Sequence, residues 1–240
     1  MREALLAATA ASPPGNVIIY FQSYAEALRY TKLLEPELSI PIFLDEVGVS
    51  AQEIRPKFFK IGEQGGKAVL ITYLWGGTLS EGVDFRDSRG RTVIVVGVGY
   101  PALNDRIKAV ESAYDTVFGC GGEGWEFAVQ VPTIRKVRQA MGRVVRSPGD
   151  FGGVRILLDA RYQGSQVRKL GGKFSVFGYF PPEESREFID VAPPKDVGSL
   201  VEEFFANTLP YNPEKIETEK KEPESPASGR LEFGSLAEKL

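Results

Sequence analysis

The sequence predicts an α/β domain, in which a mostly parallel sheet carries helices on both faces. Short runs of apolar residues, each the length of a strand, alternate along the chain with longer segments of helical periodicity. The runs are apolar at nearly every position, which is typical of strands covered on both faces. Parallel neighbours need crossover connections, and the helices between the runs can supply them. We therefore expect helices above and below one sheet.

The predicted elements follow one another closely from the N-terminus. The first 12 residues have a helical pattern that the Ser-Pro-Pro-Gly turn at residues 12–15 ends. Ser50 is the expected N-cap of a helix with Glu53 at its third position. The predicted strands are residues 17–21, 40–44, 67–73, 92–98 and 154–158. The further predicted helices are residues 24–34, 50–61, 103–118 and 132–146.

Length and composition indicate one domain with a tail. The chain has 240 residues, of which 42% are hydrophobic, enough to bury a full core. The final residues are rich in Pro, Glu, Lys and Ser, and such a segment buries too little apolar surface to order itself. We expect an N-terminal lead-in helix over residues 1–14, a domain over residues 15–211 and a charged tail over residues 212–240.

Residue usage excludes several kinds of chemistry. The chain has one cysteine, Cys120, and no histidine, whereas zinc and iron–sulfur sites need several such ligands. We therefore predict no metal site, and we interpret Cys120 as a small buried side chain. There is neither a signal peptide nor an apolar run near the roughly 20 residues of a membrane helix. A cytoplasmic protein without a membrane partner is expected.

The charge distribution leaves two interpretations open. The net charge of −3 argues against a nucleic-acid binder. Between residues 135 and 173, however, ten Lys or Arg residues stand against only Asp150 and Asp159. Such a basic stretch forms either a phosphate-facing surface or an ordinary solvated face.

Three stretches imitate nucleotide motifs incompletely. Residues 62–68 resemble a phosphate loop, but the glycine spacing is one residue short and Ala68 replaces the Ser or Thr that would hold magnesium. Asp45 and Glu46 resemble the magnesium acid pair of ATPases, although a polar turn after a strand explains them equally. Residues 97–102 fit a loose dinucleotide fingerprint, but the bulk of Tyr100 and Pro101 obstructs a pyrophosphate.

Two further segments are stronger candidates. Residues 76–85 directly follow a predicted strand, where open α/β sheets bind ligands, and combine glycines with hydroxyl and carboxylate side chains. In the predicted helix 132–146, Gln139, Arg143 and Arg146 share one stripe because they are four and three residues apart. The opposite side is apolar and can face a core, through Val137, Met141, Val144 and Val145. Two arginines on one stripe indicate a polyphosphate ligand.

These segments resemble helicase motifs. Residues 80–85, Ser-Glu-Gly-Val-Asp-Phe, are similar to motif V of the XPD/DinG family of superfamily 2 DNA helicases. Residues 139–146 and the following 147–152 are similar to its motif VI, and residues 17–24 to its motif IV. The resemblance extends from about residue 10 to about residue 205. It implies a RecA-like fold without its own phosphate loop, namely the second motor domain of an ATP-driven helicase.

The resemblance also implies ligands, partners and residue roles. ATP and Mg²⁺ would lie between this domain and a first motor domain, which holds the phosphate loop, the magnesium acid pair and the family's iron–sulfur cluster; this sequence contains none of them. Implied partners are that first domain, single-stranded DNA, and repair or transcription proteins. Movement would be 5′ to 3′, and the chain alone would not hydrolyse ATP. The implied catalytic residues are the arginine fingers Arg143 and Arg146, with Gln139; the implied nucleotide contacts are Glu81, Gly82 and Asp84; the implied DNA contacts are Ser23, Thr78 and Ser80.

Two other functions remain open at this point. The domain could be a non-catalytic interaction module that keeps the RecA-like fold as a docking surface, in which case Arg143 and Arg146 would be dispensable. It could also be a dinucleotide-binding enzyme that uses the turn at residues 97–102. If the protein acts on DNA, we expect it at the nucleoid in a prokaryote or in the nucleus in a eukaryote.

Overall fold

One sheet organises the part of the chain that the computed structural model describes, which is residues 1–79, 83–118, 123–145, 153–171, 174–192 and 196–208. Its spatial order is β2-β3-β1-β4-β5, and every neighbouring pair is parallel. The predicted parallel α/β class is confirmed. The strands are β1 (Val17–Phe21), β2 (Ile42–Leu44), β3 (Val69–Tyr73), β4 (Thr92–Val96) and β5 (Val154–Leu158).

Helices connect these strands within the described ranges. A π-helical turn at Glu126–Gln130 joins the short α5 to α6, so that the two helices are continuous. The helices are α1 (Arg2–Ala11), α2 (Tyr24–Leu34), α3 (Ala51–Glu63), α4 (Asp105–Phe118), α5 (Glu123–Trp125), α6 (Val131–Met141), α7 (Val167–Leu170), α8 (Pro182–Ser185) and α9 (Val197–Thr208). The helices predicted at residues 1–12, 24–34, 50–61 and 103–118 are confirmed as α1 to α4.

Alternate side chains of the central strand β1 enter two separate cores. Ile18 and Tyr20 pack on the side that carries α3 and α6, whereas Val17, Ile19 and Phe21 pack on the side that carries α1, α2 and α9. All five side chains are buried. This two-sided burial explains why the strands are apolar at nearly every position.

Polar side chains fix the ends of several elements. Ser50 caps α3, as predicted, by accepting a hydrogen bond from the N–H of Gln52 at 3.2 Å. Lys67, from the stretch that resembles a phosphate loop, donates from Nζ to the carbonyl oxygens of Thr9 at 3.0 Å, Ala10 at 3.2 Å, and Ser12. Burial lowers the pKa of Lys67. Residues 62–68 are therefore the turn between α3 and β3, and their lysine caps α1.

The helix predicted over residues 132–146 is shorter than expected. It ends at Met141, and Gly142 is its C-cap. Arg143 then makes a turn, in which its N–H donates to the carbonyl oxygen of Ala140 at 3.1 Å. Val144 is buried as predicted, but Val145 is exposed, so the expectation that both valines face the core was half wrong.

Helix α9 has no counterpart among the predicted elements. Val197, Val201 and Phe205 bury its inner side in the core that also contains residues of α1. The lead-in helix and the end of the domain thus belong to one packed layer. None of the helices in the described ranges is both long and apolar enough to cross a membrane.

Candidate functional site

The carboxyl ends of the inner strands bring two of the predicted DNA-contacting residues to one edge of the sheet. Phe21, the last residue of β1, is in register with Tyr73, the last residue of β3. Ser23 lies two residues after the end of β1, and Thr78 lies in the loop that follows β3. We call residues 74–79 the β3 loop. Both residues are exposed at this carboxyl edge.

Ser23 is the N-cap of α2. Its Oγ accepts a hydrogen bond from the N–H of Glu26 at 3.3 Å. The hydroxyl hydrogen is not used in that bond and can be donated to a ligand. Because the first N–H groups of a helix also carry partial positive charge, this end of α2 is suited to a phosphate oxygen.

A buried carboxylate holds the β3 loop. Asp45, directly after β2, accepts hydrogen bonds from the hydroxyls of Thr72 and Thr78, each at 2.6 Å, and from the N–H of Leu79 at 2.9 Å. From the sequence, Asp45 was interpreted either as half of a magnesium acid pair or as part of a polar turn after a strand. Its position at the end of a predicted strand indicated a functional or turn residue. Its hydrogen-bond partners could not be predicted, because they belong to β3 and to the β3 loop.

The chain crosses from the carboxyl edge to the amino edge after the β3 loop. Ser88 accepts a hydrogen bond at its carbonyl oxygen from the N–H of Asn16, one residue before β1, at 2.9 Å. Between these edges, the N–H of Phe85 donates to the carbonyl oxygen of Arg143 at 3.3 Å. The segment similar to motif V is thereby joined to the segment similar to motif VI.

The Arg143 side chain strengthens this junction. Its Nη1 donates to the carbonyl oxygen of Val83 at 3.2 Å and lies 3.9 Å from Oδ1 of Asp84. Only 12% of the Arg143 side chain is exposed, against 45% for Asp84. Its buried Nε has no hydrogen-bond partner among the residues that the structure describes. The site therefore contains a nearly buried guanidinium with unused donor capacity.

The predicted stripe of Gln139 and Arg143 is not formed. Gln139 is exposed on α6, whereas Arg143 follows the end of that helix and turns inward to Val83. Glycine disfavours helix continuation, and the main-chain bond from Phe85 draws Arg143 away from the helical path. Spacings of three and four residues align side chains only along a continuous helix, so the prediction that Gln139 and Arg143 share one helical stripe was wrong.

Several expectations fall outside the described residues. They concern the predicted DNA contact Ser80 and the predicted nucleotide contacts Glu81 and Gly82. The second predicted arginine finger, Arg146, and the lone cysteine, Cys120, also lie outside these ranges.

Three arginines of the basic stretch pair with acidic side chains. Arg138 of α6 forms a bidentate interaction with Glu184 of α8, and its pKa is raised by that hydrogen bond. Arg155 of β5 lies 3.2 Å from Glu187. Glu184 and Glu187 therefore balance two positive charges of the basic stretch. This pairing supports the interpretation of that part of the stretch as a solvated face.

Asp159 and Arg161 form the third such pair, at the carboxyl end of β5. Arg161 Nη2 lies 2.7 Å from Asp159 Oδ2, and the Arg161 N–H also donates to Asp159 Oδ1 at 2.9 Å. Burial alone would raise the pKa of Asp159, but the hydrogen bonds from Arg161 outweigh it and hold that pKa below its ordinary value. This arrangement ties the β5 end to its own turn.

The turn at residues 97–102 has no space for a pyrophosphate near its first glycine. Gly97 has a φ of 74°, and a Cβ at this position would overlap the side-chain amide of Gln22. The Gly97 carbonyl oxygen accepts from the Tyr162 hydroxyl at 3.1 Å, and that of Gly99 accepts from Trp75 Nε1 at 2.6 Å. The glycines therefore serve packing within the domain, which disfavours the dinucleotide interpretation.

Comparison with known proteins places these segments in a family context. Residues 6–173 match the family model of the helicase C-terminal domain. Regulator of telomere elongation helicase 1 of Pongo abelii is 30% identical over 175 residues, covering 67% of this chain and 13% of that protein. The Caenorhabditis elegans homolog of the same helicase is 36% identical over 111 residues, covering 42% of this chain and 11% of that protein. The chain thus spans a small fraction of these curated relatives.

Solved structures share the fold. A structure of XPD helicase aligns with a TM-score of 0.51 at 21% identity, over 70% of this chain and 29% of that chain. A structure of apo XPD aligns with a TM-score of 0.53 at 23% identity, over 70% of this chain and 33% of that chain. The five-stranded parallel sheet is therefore of the RecA-like type.

Proposed function

The chain belongs to the helicase C-terminal domain family of XPD/DinG-type superfamily 2 helicases, and from that premise we propose that it is the second motor domain of an ATP-dependent DNA helicase. In this proposal the carboxyl edge of the sheet contacts single-stranded DNA, and the residues around Arg143, after the end of α6, contact ATP. The ATP is shared with a first motor domain.

The observation that carries the proposal is the junction of the two motif-like segments at Arg143. A helicase motor must connect its nucleotide site to its DNA site. Here Val83 and Asp84, which follow the β3 loop closely in sequence, contact Arg143. A change at Arg143 can thus reach the DNA-facing loop through the main chain.

Arg143 has the chemistry of an arginine finger. A guanidinium is permanently charged and presents five donors, and the buried Nε of Arg143 has no partner within the described ranges. Such a group offsets the negative charge that develops on a transferred phosphoryl group, an effect on the order of 10³ to 10⁵ in rate. We assign the same role to Arg146 and a phosphate-sensing role to Gln139, which is exposed on α6.

The remaining contacts with the nucleotide are made, in this proposal, by residues 80–85 and by the first motor domain. Asp84 is half exposed beside Arg143 and can orient that guanidinium or accept from the ribose; Glu81 and Gly82 complete this set. Among the described residues no cluster of three or more His, Cys, Asp or Glu side chains is arranged to hold a metal ion. We therefore propose that the first motor domain coordinates the Mg²⁺ that accompanies ATP.

The carboxyl edge supplies groups for a DNA backbone. Ser23 retains a hydroxyl donor at the N-terminus of α2. Thr78 has turned its hydroxyl inward to Asp45, but its N–H makes no hydrogen bond to another described residue. A phosphate oxygen can accept from both groups, and Ser80 completes the proposed contact. Closing of the two domains around ATP and their reopening after hydrolysis would then move the protein along the strand, 5′ to 3′.

Reconstitution tests the proposal directly. ATP hydrolysis is measured with single-stranded DNA for the chain alone, for a first motor domain alone and for the mixture. Turnover is expected only in the mixture and only with DNA present. Robust turnover by the chain alone would overturn the proposal. A mixture in which the two chains bind each other but ATP is not hydrolysed would favour the interaction-module alternative instead.

A further inference from the structure

Asp45 is a buried residue at the carboxyl edge of the sheet, and its carboxylate accepts three hydrogen bonds. It has no exposed surface. Its Oδ2 accepts from the Thr72 hydroxyl at 2.6 Å and the Leu79 N–H at 2.9 Å. Its Oδ1 accepts from the Thr78 hydroxyl at 2.6 Å. A buried carboxylate is tolerated only when its oxygens are satisfied in this way.

The groups that donate to Asp45 come both from strand β3 and from the loop that follows it. Thr72 belongs to β3, whereas Thr78 and Leu79 belong to the loop that follows. One carboxylate therefore closes the loop back onto its own strand. Asp45 is itself fixed to the sheet, because its N–H donates to the carbonyl oxygen of Ile71 at 2.8 Å.

The loop backbone lies directly against this carboxylate at Gly77. A Cβ at Gly77 would come within 2.6 Å of Thr72 Oγ1 and 2.9 Å of Asp45 Oδ2. Any other residue would have to displace the loop from the carboxylate. The close approach and the three hydrogen bonds together define one position for the loop.

We propose that Asp45 is a positioning residue for DNA binding, which fixes the β3 loop so that the Thr78 N–H faces single-stranded DNA. The proposal rests on the proposed function, since it assumes that the carboxyl edge contacts DNA. Asp45 touches neither DNA nor nucleotide in this scheme. It acts by turning the Thr78 hydroxyl inward and the Thr78 main chain outward.

Binding of a fluorescent oligothymidylate to the 240-residue chain tests the proposal by anisotropy. Asp45→Asn keeps the size of the side chain but removes its negative charge and replaces one acceptor oxygen by an NH₂ group. The bond with Thr78 must then reverse its direction or the bond from the Leu79 N–H is lost, and no remaining bond is charge-assisted. We expect its affinity to fall by about tenfold, the effect of roughly one lost hydrogen bond to a charged group. Thr78→Val, which removes one of the three bonds, is expected to weaken binding in the same direction.

The matched control is Asn16→Ala at the amino edge. Asn16 is also fully buried, donates to the Phe58 carbonyl oxygen at 2.7 Å and accepts from the Ala68 N–H at 3.1 Å. Its loss should lower the unfolding midpoint without changing oligothymidylate affinity at temperatures where the variant is folded. Equal loss of affinity in Asn16→Ala and Asp45→Asn, or none in Asp45→Asn, would overturn the positioning role.

Hydrogen exchange gives an independent readout. In Asp45→Asn, faster exchange is expected at residues 74–79 while β1 and β4 keep their protection, whereas uniform loss of protection would reduce Asp45 to a stability residue. Failure of the unaltered chain to bind oligothymidylate at low salt would instead overturn the proposed DNA contact itself. The two failures are thus distinguishable.

Discussion

Arg143 donates a hydrogen bond from Nη1 to the carbonyl oxygen of Val83, 3.2 Å away. The acceptor is a main-chain atom, so the contact depends on the path of the Val83 segment and not on its side chain. With the Phe85 N–H bonded to the Arg143 carbonyl oxygen, the two segments are joined in both directions. Displacement of either segment must disturb the other.

Replacement of Arg143 by alanine should depress ATP turnover of the reconstituted two-domain enzyme by about 10³-fold or more, because a positioned guanidinium no longer offsets the transition-state charge. Nucleotide affinity should largely survive, since the first domain supplies the phosphate loop. Single-turnover kinetics with fluorescent-nucleotide titration separates the two effects. Arg155→Ala is the control, because its guanidinium is paired with the exposed Glu187 at the β5 edge. Unchanged turnover in Arg143→Ala would reject the finger assignment.

The coupling between Arg143 and Asp84 should be small in the isolated chain. Their charged atoms are 3.9 Å apart and Asp84 is 45% exposed, so solvent screens the interaction. A double-mutant cycle of Arg143→Ala and Asp84→Asn, measured by urea unfolding, is expected to give no more than about 1 kcal/mol. A coupling free energy above about 2 kcal/mol would contradict a solvent-screened pair.

The sheet was predictable because its cause is local in sequence. Strands covered on both faces must be apolar at nearly every position, and β1, β3 and β4 carry that pattern. Capping by Ser50 was predictable for the same reason, since the Ser50 hydroxyl and the Gln52 N–H that donates to it lie two residues apart. Such signals need no knowledge of the remaining chain.

The site was less predictable because its geometry depends on contacts between distant segments. The end of α6 is set in part by a main-chain bond between Phe85 and Arg143, 58 residues apart in sequence. The orientation of the Thr78 hydroxyl is set by Asp45, which lies on another strand end. Sequence spacing identifies such residues as candidates, but it does not indicate which way each side chain turns.

Asp159 should make the stability of the chain dependent on pH in acid. Hydrogen bonds from Arg161 overcome the effect of burial and hold its pKa below the ordinary value of 3.8. A carboxylate whose pKa is lower in the folded state contributes stability that is present above pH 3.8 and is lost as the pH falls through the folded-state pKa. Urea unfolding between pH 6 and pH 3 should therefore show a steeper loss for the unaltered chain than for Asp159→Asn. Asp105→Asn, at a fully exposed carboxylate, should leave the slope unchanged; equal slopes in all three would contradict the pair's role.

Lys67→Met should destabilise the domain without affecting nucleotide binding. Lys67 Nζ donates to the carbonyl oxygens of Thr9, Ala10 and Ser12 at the end of α1, and methionine has a similar length but no donor. The oxygens would lose partners in a partly buried place, at a cost of about 1–3 kcal/mol in the free energy of unfolding. Lys57→Met, at an exposed position of α3, is the matched control and should change stability by less than about 0.5 kcal/mol. A phosphate-loop lysine would give the opposite result, namely lost ATP affinity with unchanged stability, so denaturation and nucleotide titration on the same two variants separate a helix cap from a ligand site.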